Sequence, residues 1–355
     1  MKKNMICMAM AAAMTAGLLT GCGGSTASGS TASDAGEVNV FIWTEYLPDS
    51  VVKEFEEKTG IKVNLSTYSS NEDLLAKLKS ESEGTYDVIV PSDYMVEQLI
   101  GQDMLEKLDK EKLTNFDNLG EAYLNPSYDP GNEYTVAYQG GVAAIAVNTA
   151  KVDLEITTYD DLFAPELANS LVMLDDFRAI IGITERSMGY SMNETDPDIL
   201  SKVQDKLLTL KPNIKLYDSD SPKSAMISGD CVAGVMWSAE VALAMEENPD
   251  IQIVYPKEGA YLFMDNLAIA KGAKNYDNAL KFIDFILDAE VSTEISAEFP
   301  YLNPNAAAVE AMGEEYSANP AKNPPADVFS AGEYISNLDV DTLAIYDEMW
   351  TKLKE

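Results

Sequence analysis

The chain of 355 residues contains no histidine, only two arginines and only three cysteines. The absence of histidine excludes the Ser-His-Asp and Cys-His arrangements of common hydrolases and removes the most frequent metal ligand. The sequence also has no Cys-x-x-Cys pair, no Gly-x-x-x-x-Gly-Lys loop and no Gly-x-Gly-x-x-Gly turn. We therefore expect no metal and no cofactor, and an enzyme is disfavoured. A hydrolase that uses carboxylates alone stays open.

The first 36 residues predict an exported protein with a membrane anchor. Residues 1–21 join a positively charged start to the apolar run 5–19. This run is shorter than the roughly 20 residues of a membrane span, so we interpret residues 1–21 as a signal peptide. The Leu-Thr-Gly-Cys stretch ending at Cys22 is similar to a bacterial lipobox, which implies cleavage before Cys22 and a lipid on its sulfur. With the Ser/Gly-rich flexible tether 22–36, this predicts a lipoprotein at the outer face of the cytoplasmic membrane or in the periplasm.

The rest of the chain has the composition of a strongly acidic globular protein. Hydrophobic residues make up 46% of the sequence, and the net charge of −34 at pH 7 disfavours nucleic acid and favours a cationic small molecule. Cys7 leaves with the signal peptide and Cys22 is the lipid site, so only Cys231 remains in the folded part and we expect no intramolecular disulfide. Its neighbours Val232 and Val235 are apolar, which indicates a buried, unreactive thiol.

The stretch that follows the first predicted strand is rich in groups that bind organic cations. Residues 38–42 are β-branched and aromatic, which predicts a strand, and Trp43, Thr44 and Glu45 follow where it ends. Ligands of open α/β sheets bind outside the carboxyl ends of the strands. An indole, a hydroxyl and a carboxylate supply a π-face, an acceptor and a counter-charge. A core tryptophan beside a solvated glutamate is the plainer interpretation of the same residues.

The segments after this strand predict a β-α-β-α-β order and hence a parallel sheet with helices on its faces. We expect strands over 61–65 and 86–90, a helix capped by Asn71 and a further helix over 99–108. Ser92 and Tyr94 follow the strand 86–90 directly. They are therefore expected at the same sheet edge as Trp43.

The middle of the chain predicts a second α/β lobe with its own strand ends. Asp176 follows a predicted strand over 171–174, and Trp237 ends one over 232–238. Chain crossings are expected near Gly140 and Asp265, which leaves a cleft between the lobes. We predict that the first lobe comprises residues 37–140 and 266–310, and the second residues 141–265 and 311–355.

Seven motifs carry a resemblance to a known family over nearly all of the mature chain. In order they are Trp-Thr-Glu-Tyr at 43–46, Gly-Ile-Lys-Val at 60–63, Tyr-Asp-Val-Ile-Val-Pro-Ser-Asp-Tyr at 86–94, Leu-Thr-Asn-Phe at 113–116, Gly-Val-Met-Trp at 234–237, Tyr-Pro-Lys-Glu-Gly at 255–259 and Met-Asp-Asn-Leu-Ala-Ile at 264–269. They resemble the polyamine-binding proteins of bacterial ABC transporters, the spermidine/putrescine substrate-binding family. The resemblance implies an α/β, two-lobed periplasmic-binding-protein-like fold that closes on its ligand by a hinge motion.

The resemblance also implies the ligand and its contacts. A polyamine would be bound by Trp43, Thr44, Glu45, Tyr46, Ser92, Tyr94, Asp176, Trp237, Asp265 and Tyr301, with Phe263 as a further possible contact. The protein would act as a monomer and deliver the polyamine to the membrane permease and ATPase of an ABC importer.

Three departures from the family pattern leave the choice between putrescine and spermidine open. Ala179 stands where the spermidine binder of the family has a second carboxylate, and Phe263 stands where it has a tryptophan. In our alignment, Ile335 stands where that protein has a glutamine.

Other functions stay open at this point. The chain could bind an amino acid or a sugar, although an amino acid carboxylate needs a cation and the only arginines are Arg178 and Arg186. An iron(III) receptor would need clustered tyrosines without tryptophan and aspartate among them. A sensor that reports ligand occupancy to a membrane partner is a further alternative.

Overall fold

Eleven β-strands join into one curled mixed sheet in residues 35–355, the part of the chain that the computed structural model describes. The described residues form a single compact unit. The predicted signal peptide 1–21, the lipid site Cys22 and most of the tether 22–36 lie outside the described residues.

The elements follow one another as strands alternating with helices, with short 3₁₀ turns in several of the loops. The strands are β1 (Glu37–Trp43), β2 (Lys62–Tyr68), β3 (Val88–Ile89), β4 (Leu105–Glu106), β5 (Thr135–Asn148), β6 (Leu171–Met173), β7 (Ile214–Tyr217), β8 (Ala233–Trp237), β9 (Ile251–Val254), β10 (Tyr261–Ala270) and β11 (Glu333–Tyr334). The helices are α1 (Asp49–Thr59), α2 (Asn71–Ser80), α3 (Asp93–Gly101), α4 (Phe177–Ser187), α5 (Pro197–Leu210), α6 (Lys223–Ser228), α7 (Ser238–Glu247), α8 (Tyr276–Ile286), α9 (Ala289–Glu298), α10 (Ala306–Ser317), α11 (Ala326–Ala331) and α12 (Val340–Lys354).

The first three strands form the predicted parallel arrangement. Strand β1 lies between β2 and β3 and runs parallel to both. Helix α1 ends at Gly60, whose φ of 73° is the left-handed conformation that glycine adopts most easily. The buried Phe55 of α1 packs edge-on against Phe282 of α8, with ring centroids 5.2 Å apart, so the two helices cover this part of the sheet together. The β-α-β-α-β prediction is confirmed.

Two long antiparallel strands, β5 and β10, form the centre of the sheet. The predicted crossings are neighbours here, because Gly140 pairs with Met264 and Gln139 pairs with Asp265. The pairing changes register between Asp265 and Asn266. Phe263 lies opposite Gly141, and a Cβ at position 141 would come within 3.2 Å of its ring and 2.8 Å of the Ser238 hydroxyl oxygen. The ring of Phe263 therefore occupies space that a side chain at 141 would need.

The remaining strands extend the sheet on the other side of β5. Strand β8 pairs antiparallel with β5, and β6 runs parallel to β8 and β7. Cys231 is buried here beside Met226 and Met236, as the sequence predicted, and it is a free thiol. Strand β9 also pairs with β5, while β4 and β11 pair with β10.

Two local predictions were wrong. The helix predicted over 99–108 ends at Gly101, because the chain turns at Asp103, where φ is 53°, and β4 then pairs with β10. Helix α2 is capped by Ser70, whose hydroxyl accepts a hydrogen bond from the Asp73 N–H at 3.1 Å, and not by Asn71.

Among the helices of residues 35–355, none has the length and apolar character needed to cross a bilayer.

Candidate functional site

A cavity lies at the carboxyl ends of several strands and beside β10. The loops after β1, β2, β3, β6 and β7 reach it, as does the end of β8. Fourteen residues line it, namely Trp43, Thr44, Tyr46, Ser69, Asn71, Ser92, Asp176, Ser219, Asp220, Trp237, Tyr261, Phe263, Asp265 and Tyr301.

Asp265 is the most enclosed carboxylate of the cavity, with 4% of its surface exposed. Its Oδ2 accepts a hydrogen bond from the Tyr46 hydroxyl and its Oδ1 accepts one from the Ser92 hydroxyl, both at 2.5 Å. Burial raises the pKa of Asp265 to about 7, although these two hydrogen bonds favour the ionised form and act against that rise. The carboxylate is therefore oriented by the protein and ionises near neutral pH.

Ser92 is itself held in place by Asn71. The Asn71 side-chain amide donates to the Ser92 hydroxyl oxygen at 3.0 Å, and the Ser92 N–H donates to the Asn71 carbonyl oxygen at 3.2 Å. Because the Ser92 oxygen accepts from Asn71, its proton is free to point at Asp265. All three residues are buried, so this chain of hydrogen bonds is shielded from water.

Six of the fourteen residues that line the cavity are aromatic. Tyr46 and Tyr301 pack edge-on with centroids 4.8 Å apart, and Trp237 packs edge-on against Phe263 at 5.1 Å. The indole N–H of Trp43 donates to the Val90 carbonyl oxygen at 2.9 Å, which fixes the plane of that ring. These contacts present apolar edges and π-faces to the interior of the cavity.

The tyrosine hydroxyls of the wall stay protonated at neutral pH. Burial raises the pKa of Tyr46, Tyr261 and Tyr301 well above the usual value, and the nearby carboxylates add to the rise. Each hydroxyl can therefore donate a hydrogen bond and also accept one.

Two further carboxylates line the cavity beside Asp265. Asp176 precedes α4, and its Oδ1 accepts a hydrogen bond from the Ala179 N–H at 2.9 Å, while burial raises its pKa. Asp220 is more exposed and accepts a hydrogen bond from the Ser69 hydroxyl at 3.2 Å. Partial burial raises the pKa of Asp220, and nearby acidic groups such as Asp218 add to this rise.

Most of the residues predicted from the sequence line this one cavity. They are Trp43, Thr44, Tyr46, Ser92, Asp176, Trp237, Asp265 and Tyr301, together with the possible contact Phe263.

Glu45 and Tyr94 do not line it. Glu45 has a φ of 51°, and its carboxylate is 2.7 Å from the ammonium nitrogen of Lys223. The Tyr94 hydroxyl donates to Glu72 at 3.1 Å, and Tyr94 lines a neighbouring cavity with Ile335.

Five lining residues were not predicted as site residues, namely Ser69, Asn71, Ser219, Asp220 and Tyr261. Ser69 directly follows β2, and Ser219 and Asp220 follow β7. The rule that places ligands at strand ends would have found them, had these strand ends been predicted correctly.

The lining is suited to an organic cation with an apolar middle. Among the described residues that line the cavity, three are aspartates and none is lysine or arginine. Carboxylates offset the cost of taking ammonium groups out of water, and the aromatic rings contact methylene groups and attract cations.

Within residues 35–355, no group of three or more His, Cys, Asp or Glu side chains is arranged to hold a metal ion.

Comparisons with known proteins agree on the family. Residues 50–325 match the family described as bacterial extracellular solute-binding protein. The chain is 39% identical over 328 residues to the spermidine/putrescine-binding periplasmic protein of Salmonella typhimurium, covering 92% of this chain and 94% of that protein. It is 38% identical over 335 residues to the protein of the same name from Escherichia coli, covering 93% of this chain and 96% of that protein.

A solved structure gives the same result for the fold. The spermidine/putrescine ABC transporter substrate-binding protein PotD from Streptococcus pneumoniae superposes with a TM-score of 0.76 at 33% identity, covering 90% of this chain and 98% of that one. These relatives are binding proteins, which confirms the prediction of a binding protein rather than an enzyme. The chain belongs to the family of bacterial extracellular solute-binding proteins.

Proposed function

We propose that this protein captures a polyamine, putrescine or spermidine, in the cavity around Asp265 and delivers it to the permease and ATPase of an ABC importer. The observation that carries the proposal is the lining, in which three aspartates and several aromatic rings occur without a basic residue among the described positions. The names of the relatives from Salmonella typhimurium and Escherichia coli support the same ligand class.

The energetics favour such a ligand. Burying the four methylenes of putrescine contributes about 3 kcal/mol at ~0.8 kcal/mol each. A ring such as that of Trp43 beside an ammonium group adds about 0.5–2 kcal/mol. Asp176 and Asp265 supply the counter-charges, without which the cost of removing the ammonium groups from water would dominate. The remaining cavity-lining residues predicted from the sequence are proposed as further ligand contacts.

We also propose that the chain closes on the ligand as two lobes, with residues 37–140 and 266–310 in the first and residues 141–265 and 311–355 in the second. Besides the hydrogen bonds from Tyr46 and Ser92 to Asp265, two further contacts at the cavity join residues of the two proposed lobes. Ser69 donates to Asp220 at 3.2 Å, and Lys223 donates to Glu45 at 2.7 Å. Both contacts have to break if the lobes separate to admit a ligand.

Isothermal titration of the purified chain with putrescine and spermidine tests the ligand class. Micromolar or tighter binding of either polyamine, lost in Asp265→Ala, is the expected result. Asp205→Ala, which changes an exposed aspartate of α5 outside the cavity, is the matched control. Absence of binding heat from both polyamines would overturn the proposal, and amino acids and sugars would then be screened by thermal shift.

We further propose that the protein is anchored to the outer face of the cytoplasmic membrane by a lipid on Cys22. The lipobox-like Leu-Thr-Gly-Cys stretch and the apolar run before it support this. Cell fractionation of the wild type and Cys22→Ser is the test. The wild type is expected in the membrane fraction and the variant in the soluble fraction, whereas equal distributions would contradict the anchor.

We also propose that the protein is a monomer, which light scattering tests.

A further inference from the structure

A lysine at the rim of the cavity is surrounded by acceptor groups. The ammonium nitrogen of Lys223 lies 2.7 Å from a Glu45 carboxylate oxygen and 3.0 Å from both carboxylate oxygens of Glu240. It also donates to the Ser221 hydroxyl oxygen at 3.1 Å. The Lys223 side chain is 20% exposed and that of Glu240 is 4% exposed. The ammonium group is therefore fully engaged by the protein and largely shielded from water.

These contacts turn Glu45 away from the cavity. Both of its chain neighbours, Thr44 and Tyr46, line the cavity, but Glu45 does not. Glu45 has a left-handed backbone, with φ of 51°, and its carboxylate pairs with the first residue of α6, which is Lys223. The carboxylate that sequence analysis assigned to a ligand ammonium is thus bound by an ammonium of the protein.

The lysine also changes the charge that a ligand meets at this end of the cavity. A ligand ammonium that approached Glu45 would also approach the positive charge of Lys223, which offsets part of the negative charge of Glu45 and Glu240. Because Lys223 is mostly buried, water and salt screen that repulsion only weakly. The less exposed carboxylates that remain are Asp176 and Asp265, since Asp220 is exposed at the mouth. Two shielded carboxylates match the two ammonium groups of a diamine.

We propose that Lys223 is a specificity-determining residue of the polyamine site, which binds Glu45 in place of a ligand ammonium and so selects a diamine over a triamine. This inference rests on the proposed function and adds to it a choice between ligands. The ion pair between Lys223 and Glu45 would then determine the choice between putrescine and spermidine, which the sequence left open.

Titration of the full chain and its variants with putrescine and spermidine tests the inference. The wild type is expected to bind putrescine about tenfold or more tightly than spermidine. In Lys223→Met the freed Glu45 becomes available to a third ammonium, so this preference falls by about fivefold or more. Adding Glu45→Gln to Lys223→Met removes the gain in spermidine affinity. Lys215→Met, which removes an equal charge from an ion pair with Asp230 outside the cavity, leaves the preference unchanged.

Because Lys223→Met leaves Glu240 buried without its cation, thermal melting of each variant is measured first. If that variant does not fold, Lys223→Met combined with Glu240→Gln takes its place, since the pair is then neutral. Equal affinity of the wild type for both ligands, or a preference unchanged in the folded Lys223 variant, overturns this inference and leaves the proposed function standing. Failure of both ligands to bind any variant overturns the proposed function, and this inference with it.

Discussion

The Tyr46 hydroxyl donates a hydrogen bond to the Asp265 carboxylate at 2.5 Å, across 219 positions of the chain. Ser92 donates to the other oxygen of the same carboxylate. Each oxygen therefore has a protein donor, and the orientation of the carboxylate does not depend on a ligand. Part of the entropy cost of ordering the site is met by folding rather than by binding.

Removing the Tyr46 hydroxyl weakens polyamine binding. Tyr46→Phe keeps the ring that packs on Tyr301 but removes a donor to the ionised form of Asp265. We expect an affinity about tenfold lower at neutral pH, in line with a hydrogen bond to a charged group. Isothermal titration measures the loss. The matched control is Tyr123→Phe, because Tyr123 lies outside the cavity. A change of about twofold or less in Tyr46→Phe would contradict the role given to this hydrogen bond.

Polyamine affinity rises with pH through neutrality. The pKa of Asp265 is raised to about 7 by burial, so the carboxylate is mostly protonated at pH 6 and mostly ionised at pH 8, while the ligand amines stay charged. We expect binding about tenfold weaker at pH 6 than at pH 8. Titrations at both pH values measure the difference, and the residual binding of Asp265→Asn is expected to lack it. Equal wild-type affinities would show that Asp265 is not the titrating counter-charge.

Stability of the ligand-free protein changes with pH in the opposite direction. Burial raises the pKa of Asp93 and Glu185 to about 8 and that of Glu240 and Asp265 to about 7. The folded chain therefore holds protons that the unfolded chain releases above its ordinary carboxyl pKa of about 4. This contribution to stability is complete below about pH 4 and is lost as the pH rises through 7 to 8.

We therefore expect the melting temperature to fall by roughly 5 °C between pH 5.5 and pH 8.5. Calorimetry without ligand measures the fall, and saturating polyamine restores stability at the higher pH because it binds only the folded state. A melting temperature that is constant or rises over this range would contradict the assignment of raised pKa values.

Asp87 stabilises the fold without taking part in the site. Its buried carboxylate accepts hydrogen bonds from the backbone and side-chain N–H groups of both Asn39 and Asn275, at 2.8–3.0 Å. Asp87→Ala leaves these donors without an acceptor, which lowers the free energy of unfolding by about 3 kcal/mol. Urea unfolding measures the loss. Asp277→Ala, which removes an exposed ion pair with Lys112, is expected to cost far less, because water screens that pair. Equal losses in the two variants would contradict the structural role of Asp87.

The sequence predicted the site residues best where the preceding strand lies inside the sheet and its hydrophobic run ends at the end of the strand. Trp43 follows the fully apolar part of β1, and Asp176 follows the buried β6. In both places the hydrophobic run stops where the strand stops, so the side chains at the strand end could be recognised.

The prediction missed Ser69 and Asp220 because the strands before them lie at the edges of the sheet. Ser66 and Thr67 of β2 are polar and exposed, so the predicted strand ended at 65, four residues before Ser69. Strand β7 buries none of its four residues fully, so its sequence lacks the hydrophobic pattern that would predict a strand. The position of Glu45 outside the cavity lining could not be predicted for a different reason, because its ion pair with Lys223 joins residues 178 positions apart and no local pattern records it.

Gly141 lies against the ring of Phe263, so the shape of the cavity depends on the absence of a side chain at residue 141. The ring of Phe263 lies in the space that a methyl group on residue 141 would claim, and the same ring lines the cavity. A single added carbon at 141 would press on the ring of Phe263, which lines the cavity, and on the Ser238 hydroxyl, so these groups would have to shift. The absence of a Cβ atom at Gly141 therefore helps to set the size of the ligand that the cavity can hold.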